Sequence, residues 1–191
     1  MPDRTNAILT GQKETFLQAI TADVKALEQM GVANIAIPCN TSHYYIEEIQ
    51  ASTQVPLINM VKESVFHVQN TYPNAKKIGI LATDGTMHAK VYHQACQKAG
   101  LIAVSPEDEA QKAVMSLIYD DIKGGKQGEP QKFQLAYENL MNQGCDVILL
   151  ACTELSVYKE YHPVPSNCVD AMDVLVRESV LRSGAQIREK K

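Results

Sequence analysis

Two stretches of the chain, Lys77-Ile78-Gly79-Ile80-Leu81-Ala82 and Asp146-Val147-Ile148-Leu149-Leu150-Ala151, are apolar almost without interruption. A strand with one wet face alternates apolar and polar residues, so runs of this kind must be covered on both faces. Shorter runs of similar character lie at 33–37, 55–58 and 101–104. The intervals between them carry helical spacing. Residues 14–30 place Phe16, Leu17, Ile20, Val24, Leu27 and Met30 three and four residues apart, and Gly31 can end that helix. Further helices are expected over 43–52, 61–71, 84–98, 108–123, 129–143 and 170–182. The helix at 108–123 should turn Ala113, Val114, Leu117 and Ile118 inward, and the last should bury Met172, Val174, Leu175, Val176, Val180 and Leu181. Strands alternating with helices mean βαβ units, so the expected fold class is α/β with mostly parallel sheets flanked by helices. In such sheets ligands bind beyond the carboxyl ends of the strands.

Two strand ends repeat each other. Gly31-Val32-Ala33-Asn34-Ile35-Ala36-Ile37-Pro38-Cys39-Asn40-Thr41 lines up with Gly144-Cys145-Asp146-Val147-Ile148-Leu149-Leu150-Ala151-Cys152-Thr153-Glu154, glycines and cysteines both 113 residues apart. Val55-Pro56 and Val164-Pro165 follow the two copies, and Ala82-Thr83-Asp84-Gly85-Thr86 is a third polar cluster at a strand end. The repeat predicts two similar lobes facing a shared cleft, 1–73 with 166–191 and 74–165, each delivering one thiol. A thiol at a strand-to-helix turn sits near unpaired N–H groups and the positive helix end, which favour thiolate. Two thiols on opposite sides of a carbon form a two-base pair that inverts a stereocentre. Asn40, Thr41, Thr83, Thr86 and Thr153 are candidate donors to the developing carbanion. Thr83 and Thr86 equally suit helix capping. A single such cysteine reads as a small core residue; the matched pair reads as function.

Composition narrows the classes. With 18 Lys and Arg against 22 Asp and Glu, a net charge of −4, the chain offers no electrostatic case for nucleic acid or an anionic membrane surface. The longest apolar run, 147–152, is far too short to span a bilayer. Five cysteines without a framework point to a reducing cytoplasm, which argues against a disulfide between Cys39 and Cys152. The close Cys and His pairs of structural zinc sites are absent, so no metal is expected. His67, His88, His93 and His162 read as surface or packing residues, and Cys96, Cys145 and Cys168 as structural. His43 either orients a thiol or substrate or simply packs. Tyr44 and Tyr45 either pack the helix face or line the cleft.

Pro38-Cys39-Asn40-Thr41-Ser42-His43 and Ala151-Cys152-Thr153-Glu154-Leu155 resemble the paired signatures of the aspartate/glutamate racemase superfamily. Glu154 stands where glutamate racemases of cell-wall synthesis have His, so the resemblance is to the aspartate racemase branch and its broader acidic amino-acid racemases. Pro2-Asp3-Arg4-Thr5, Leu81-Ala82-Thr83-Asp84-Gly85-Thr86 and Ile118-Tyr119-Asp120-Asp121-Ile122-Lys123-Gly124-Gly125 agree, in the same order. The resemblance implies interconversion of L- and D-aspartate, with glutamate as a second substrate, without pyridoxal phosphate or any other cofactor. It implies Cys39 and Cys152 as catalytic acid/bases, Arg4 and Lys123 as contacts to a small acidic amino acid, and a homodimer. Arg4 suits a bidentate grip on the side-chain carboxylate, and Lys123 adds a second positive charge. Asn40, Thr41, Thr83, Thr86 and Thr153 then hold the α-carboxylate and amine.

Members of that superfamily begin with a strand, a Gly-rich turn, a helix and a second strand before the Pro-Asp-Arg-Thr segment. Here the sequence starts at that segment, so on the order of 40 residues, close to one βαβ unit, are expected to be missing. The competing readings are an inactive fragment or binding module of the same fold, and a Cys-dependent decarboxylase or isomerase acting on a related diacid.

Overall fold

The computed structural model describes residues 13–188. Arg4 and the Pro2-Asp3-Arg4-Thr5 segment lie outside the described residues. Among the described residues every strand pairing is parallel. β1 (Ile35–Ala36) and β2 (Leu57–Ile58) make a two-stranded sheet. β3 (Lys77–Leu81), β4 (Ile102–Val104), β5 (Val147–Leu150) and β6 (Cys168–Asp170) make a second sheet in the order β4-β3-β5-β6.

The two long apolar runs are the centre of the larger sheet, paired from Ile78↔Val147 to Leu81↔Leu150. Both of their faces are covered, which is why they do not alternate with polar residues. Ile78, Ile80, Val147 and Leu149 enter one core with Val65, Val68, Tyr92 and Val174. Leu81, Ile148 and Leu150 enter the opposite core with Val114, Leu117, Phe133 and Leu140. Each such side chain contributes roughly 2 kcal/mol of burial. Gly79 is required where the sheet meets a helix: a Cβ there would stand 2.6 Å from Ile148 Cδ1 and 2.8 Å from Leu140 Cδ1.

α1 (Lys13–Gln29) buries Phe16, Ile20 and Val24 against Ile35, Tyr45 and Ile49. Leu27 and Met30, expected on the same stripe, are exposed, because the three inner residues already cover the small sheet. Gly31 at φ +73° and Gly144 at φ +79° take the left-handed conformation at the same point of each repeat, just past α1 and past α7 (Pro130–Asn142). After β1 the chain enters a 3-10 turn, Thr41–Tyr45, before α2 (Ile46–Ala51).

Two expected helices that follow strands are modified. Residues 84–98 form two helices, α4 (Asp84–Ala89) and α5 (Val91–Lys98), broken at Lys90 with φ +53°. The break lets Thr86 and Ala89 stay buried on α4 while Tyr92 and Cys96 turn inward on α5. The helix from Asp108 changes character: α6 (Asp108–Ser116) passes into a π-helix, Leu117–Ile122. The wider turn buries Leu117, Ile118 and Asp121 together. Expected burial of Val176 and Leu181 on α9 (Ala171–Arg182) is not observed; both are exposed, and Ala171, Val174 and Leu175 make the contacts.

Two elements, α8 (Thr153–Tyr161) and β6, lie outside the helices and strands expected from sequence. Both belong to the repeat. Val55-Pro56 leads into β2 and Val164-Pro165 leads into β6. A capping residue stands where each strand ends: Asn59, just past β2, accepts the Lys62 N–H at 3.0 Å, and Asp170, the last residue of β6, accepts the Met172 N–H at 2.9 Å. These caps open α3 (Met60–Thr71) and α9, which pack on one another. No helix among the described residues is long and apolar enough to cross a membrane.

Candidate active site

The two repeat-related thiols meet. Cys39, three residues past β1, and Cys152, two residues past β5, line one narrow cavity together with Asn40, Thr41, Thr83, Tyr119, Lys123, Ala151, Thr153 and Glu154. Its volume is about 30 Å³, room for little more than water. A larger groove of about 480 Å³ lies between the 3-10 turn, α3 and α5 and contains neither cysteine. We take the thiol-lined cavity as the site because chemistry, not volume, distinguishes it.

Cys152 stands at the N-cap of α8, where its side chain caps nothing. Its thiol instead donates to Glu154 Oε2 at 2.8 Å, and Thr153 Oγ1 donates to the same oxygen at 3.2 Å. Burial pushes the Cys152 thiol well above its ordinary value, and the Glu154 carboxylate and the neighbouring Cys39 push in the same direction. The expected preference for thiolate is therefore reversed at Cys152: desolvation and an adjacent negative charge outweigh the helix end. Glu154 also faces Lys123, whose Nζ is 3.9 Å from Oε1 and 3.8 Å from the centre of the Tyr119 ring. The π-helix places Tyr119 and Lys123 on this side.

Thr41, Thr83 and Thr86 form a buried hydroxyl cluster. Thr41 Oγ1 lies 2.8 Å from Thr86 Oγ1 and 3.5 Å from Thr83 Oγ1. Thr83 also caps α4, accepting the Thr86 N–H at 3.4 Å, so the capping role is present. Thr41 and Thr83 line the cavity, whereas Thr86 braces them from behind. Asn40 is 3% exposed; its Oδ1 accepts from the Tyr92 hydroxyl, and its Nδ2 has no partner among the described residues. A buried unpaired donor at a cavity wall is costly unless a ligand acceptor completes it.

Of the site residues expected from sequence, the structure brings together Cys39, Asn40, Thr41, Thr83, Lys123, Cys152 and Thr153, with Thr86 behind them. Glu154, Tyr92 and Tyr119 were not foreseen. Glu154 had a signal, its departure from the glutamate racemase pattern; Tyr92 had none. The five cysteines are all unpaired, and no group of three or more metal-ligating residues occurs among the described residues.

A parallel α/β fold that brings two repeat-related thiols to one cavity is the architecture now placed beside known proteins. Residues 1–179 match the Asp/Glu/Hydantoin racemase family. The chain belongs to this family of amino-acid racemases and is an isomerase. It is 30% identical over 164 residues to the broad specificity amino-acid racemase RacX of Bacillus subtilis, covering 85% of this chain and 70% of that one. Its fold is similar to that of Picrophilus torridus aspartate racemase, with a TM-score of 0.78 at 22% identity, covering 98% of this chain and 77% of the other. The glutamate racemase of Francisella tularensis, in complex with D-glutamate, has a TM-score of 0.65 at 20% identity over 100% of this chain and 71% of its own.

Proposed function

We propose that the protein interconverts L- and D-aspartate, with glutamate as a second substrate, by proton transfer at Cα between Cys39 and Cys152 without pyridoxal phosphate. The observation that carries this reading is the meeting of two repeat-related thiols in one cavity. One thiolate takes the Cα proton from one face and becomes a thiol. The opposite thiol gives its proton to the other face and becomes a thiolate, so charge and protons balance. The burial and Glu154 contact that raise the Cys152 thiol support it as a proton donor in this exchange.

The remaining groups act on the charge that develops. Asn40 Nδ2 offers an unpaired N–H to the α-carboxylate, and Thr41, Thr83 and Thr153 offer hydroxyls. Thr86 orders two of those hydroxyls. Lys123 draws the side-chain carboxylate, releasing Glu154 as it does so. Arg4, outside the described residues, is proposed to hold the same carboxylate bidentately. The cavity must widen to admit an amino acid, so the proposal includes movement of the small β1–β2 sheet, in the proposed lobe 1–73 with 166–191, relative to the larger sheet of 74–165, which β6 joins. Unpaired cysteines support a cytoplasmic setting, and a homodimer completes the proposal.

The test is Cα–H exchange in D₂O with each enantiomer, in wild type, Cys39→Ala and Cys152→Ala. Racemisation should vanish in both variants, while each still exchanges one enantiomer. Undiminished racemisation in either variant would sink the two-thiol mechanism.

A further inference from the structure

His43 is 4% exposed and lies on the 3-10 turn that follows Cys39. Its Nδ1 is 2.9 Å from the Cys39 carbonyl oxygen and its Nε2 is 3.0 Å from the Met60 backbone nitrogen. A backbone N–H only donates and a carbonyl only accepts, so Nε2 must accept and Nδ1 must carry the proton. The ring is thereby held neutral in one tautomer, and its burial acts in the same direction.

Both partners matter. Met60 opens α3 and packs with Ile58, Ala171 and Leu175, the small core that ties β2 to α9. The Asn59 cap serves the Lys62 N–H, which leaves the Met60 N–H to the imidazole. On the other side, the Cys39 N–H bonds to the Ile37 carbonyl at 2.8 Å. With His43 holding its carbonyl, the Cys39 residue is fixed at both of its backbone polar groups. An apolar side chain of the same size would fill the space but strand two buried backbone groups.

We propose that His43 is a positioning residue: it ties the Cys39 turn to the first N–H of α3 and so aims the Cys39 thiol at the substrate carbon. This rests on the two-thiol reading above, and the test separates the two. An Asn amide reaches the level of Nδ1 and can keep the bond to Cys39; a Gln amide reaches the level of Nε2 and keeps only the bond to Met60. Iodoacetamide alkylation of Cys39 and of Cys152 is resolved by peptide mass spectrometry in wild type, His43→Asn and His43→Gln, with urea midpoints confirming that all three are folded.

In His43→Gln, Cys39 should alkylate about fivefold faster, the scale of one lost hydrogen bond, with Cys152 unchanged. His43→Asn should restore the wild-type rate. In parallel, His43→Gln should slow exchange of the enantiomer whose exchange is lost in Cys39→Ala, and spare the other. Equal Cys39 rates in all three proteins, or equal changes at both thiols, would overturn the assignment in favour of simple packing. Alkylation needs no turnover, so a protein that shows the asymmetry yet exchanges neither enantiomer keeps the positioning role and refutes the racemase reading instead.

Discussion

Replacing Asp121 with Asn should be the most damaging single-atom change in the π-helix. The carboxylate is fully buried, yet it receives Lys132 Nζ at 2.8 and 2.9 Å, the Glu129 N–H at 3.1 Å, and Lys126 Nζ at 3.7 Å. Burial pushes its pKa up, but the Lys132 and Glu129 hydrogen bonds and the two lysine charges win and hold it below the usual carboxylate range. Charge-assisted bonds are worth about 1.5–3 kcal/mol each, and removing one partner of a buried pair costs about 3–5 kcal/mol. Lys132 keeps 21% exposure and has Glu129 at 3.7 Å as a second partner, so the lower end applies. The expected loss is about 3 kcal/mol, or about 9 °C in Tm for a chain of this size.

Urea unfolding at neutral pH should show the midpoint falling with the slope unchanged. The pH dependence has a definite sign. A depressed folded pKa contributes stability that is full above the unfolded value, about 3.9, and is lost as pH falls through the folded value. The gap between wild type and Asp121→Asn should therefore be constant near neutrality and close only below about pH 4. Equal midpoints at neutral pH, or a gap that persists undiminished into strong acid, would refute the reasoning.

Two further outcomes concern the cleft. Tyr92→Phe removes the donor that fixes Asn40 Oδ1, freeing the amide to turn its Nδ2 away; KM for aspartate should rise about fivefold with a smaller change in kcat, and an unchanged KM would detach Asn40 from substrate binding. Glu154→Gln removes one of the charges that, after burial, raise the Cys152 thiol; alkylation of Cys152 should quicken at mildly alkaline pH and the alkaline limb of the pH profile should move to lower pH. A profile that stays in place would mean Glu154 does not govern that proton.

Much of the fold was legible because its signals are local. Runs 77–82 and 146–151 read as doubly covered strands, and β3 and β5 occupy the sheet centre for that reason. The Val-Pro pairs mark the entry to β2 and to β6, but only the first adjoins a recognisable apolar run; Cys168–Asp170 is too short and mixed for period alone to show. The π-helix at Leu117–Ile122 was not legible, since its sequence has ordinary helical spacing and the wider turn answers to where Leu117, Ile118 and Asp121 must be buried.

By itself the sequence determined the layer architecture, the repeat and the identity of the paired thiols, because apolar period and motif spacing are properties of neighbouring residues. Only the tertiary structure decided how those thiols behave. Glu154 lies two residues from Cys152, yet its effect on the thiol depends on the fold holding the two in contact in a partly buried cleft. Tyr92 reaches Asn40 across 52 residues and His43 reaches Met60 across 17. Proton affinity and side-chain direction are set by burial and by partners distant in the chain, and those exist only once the sheets and helices have packed.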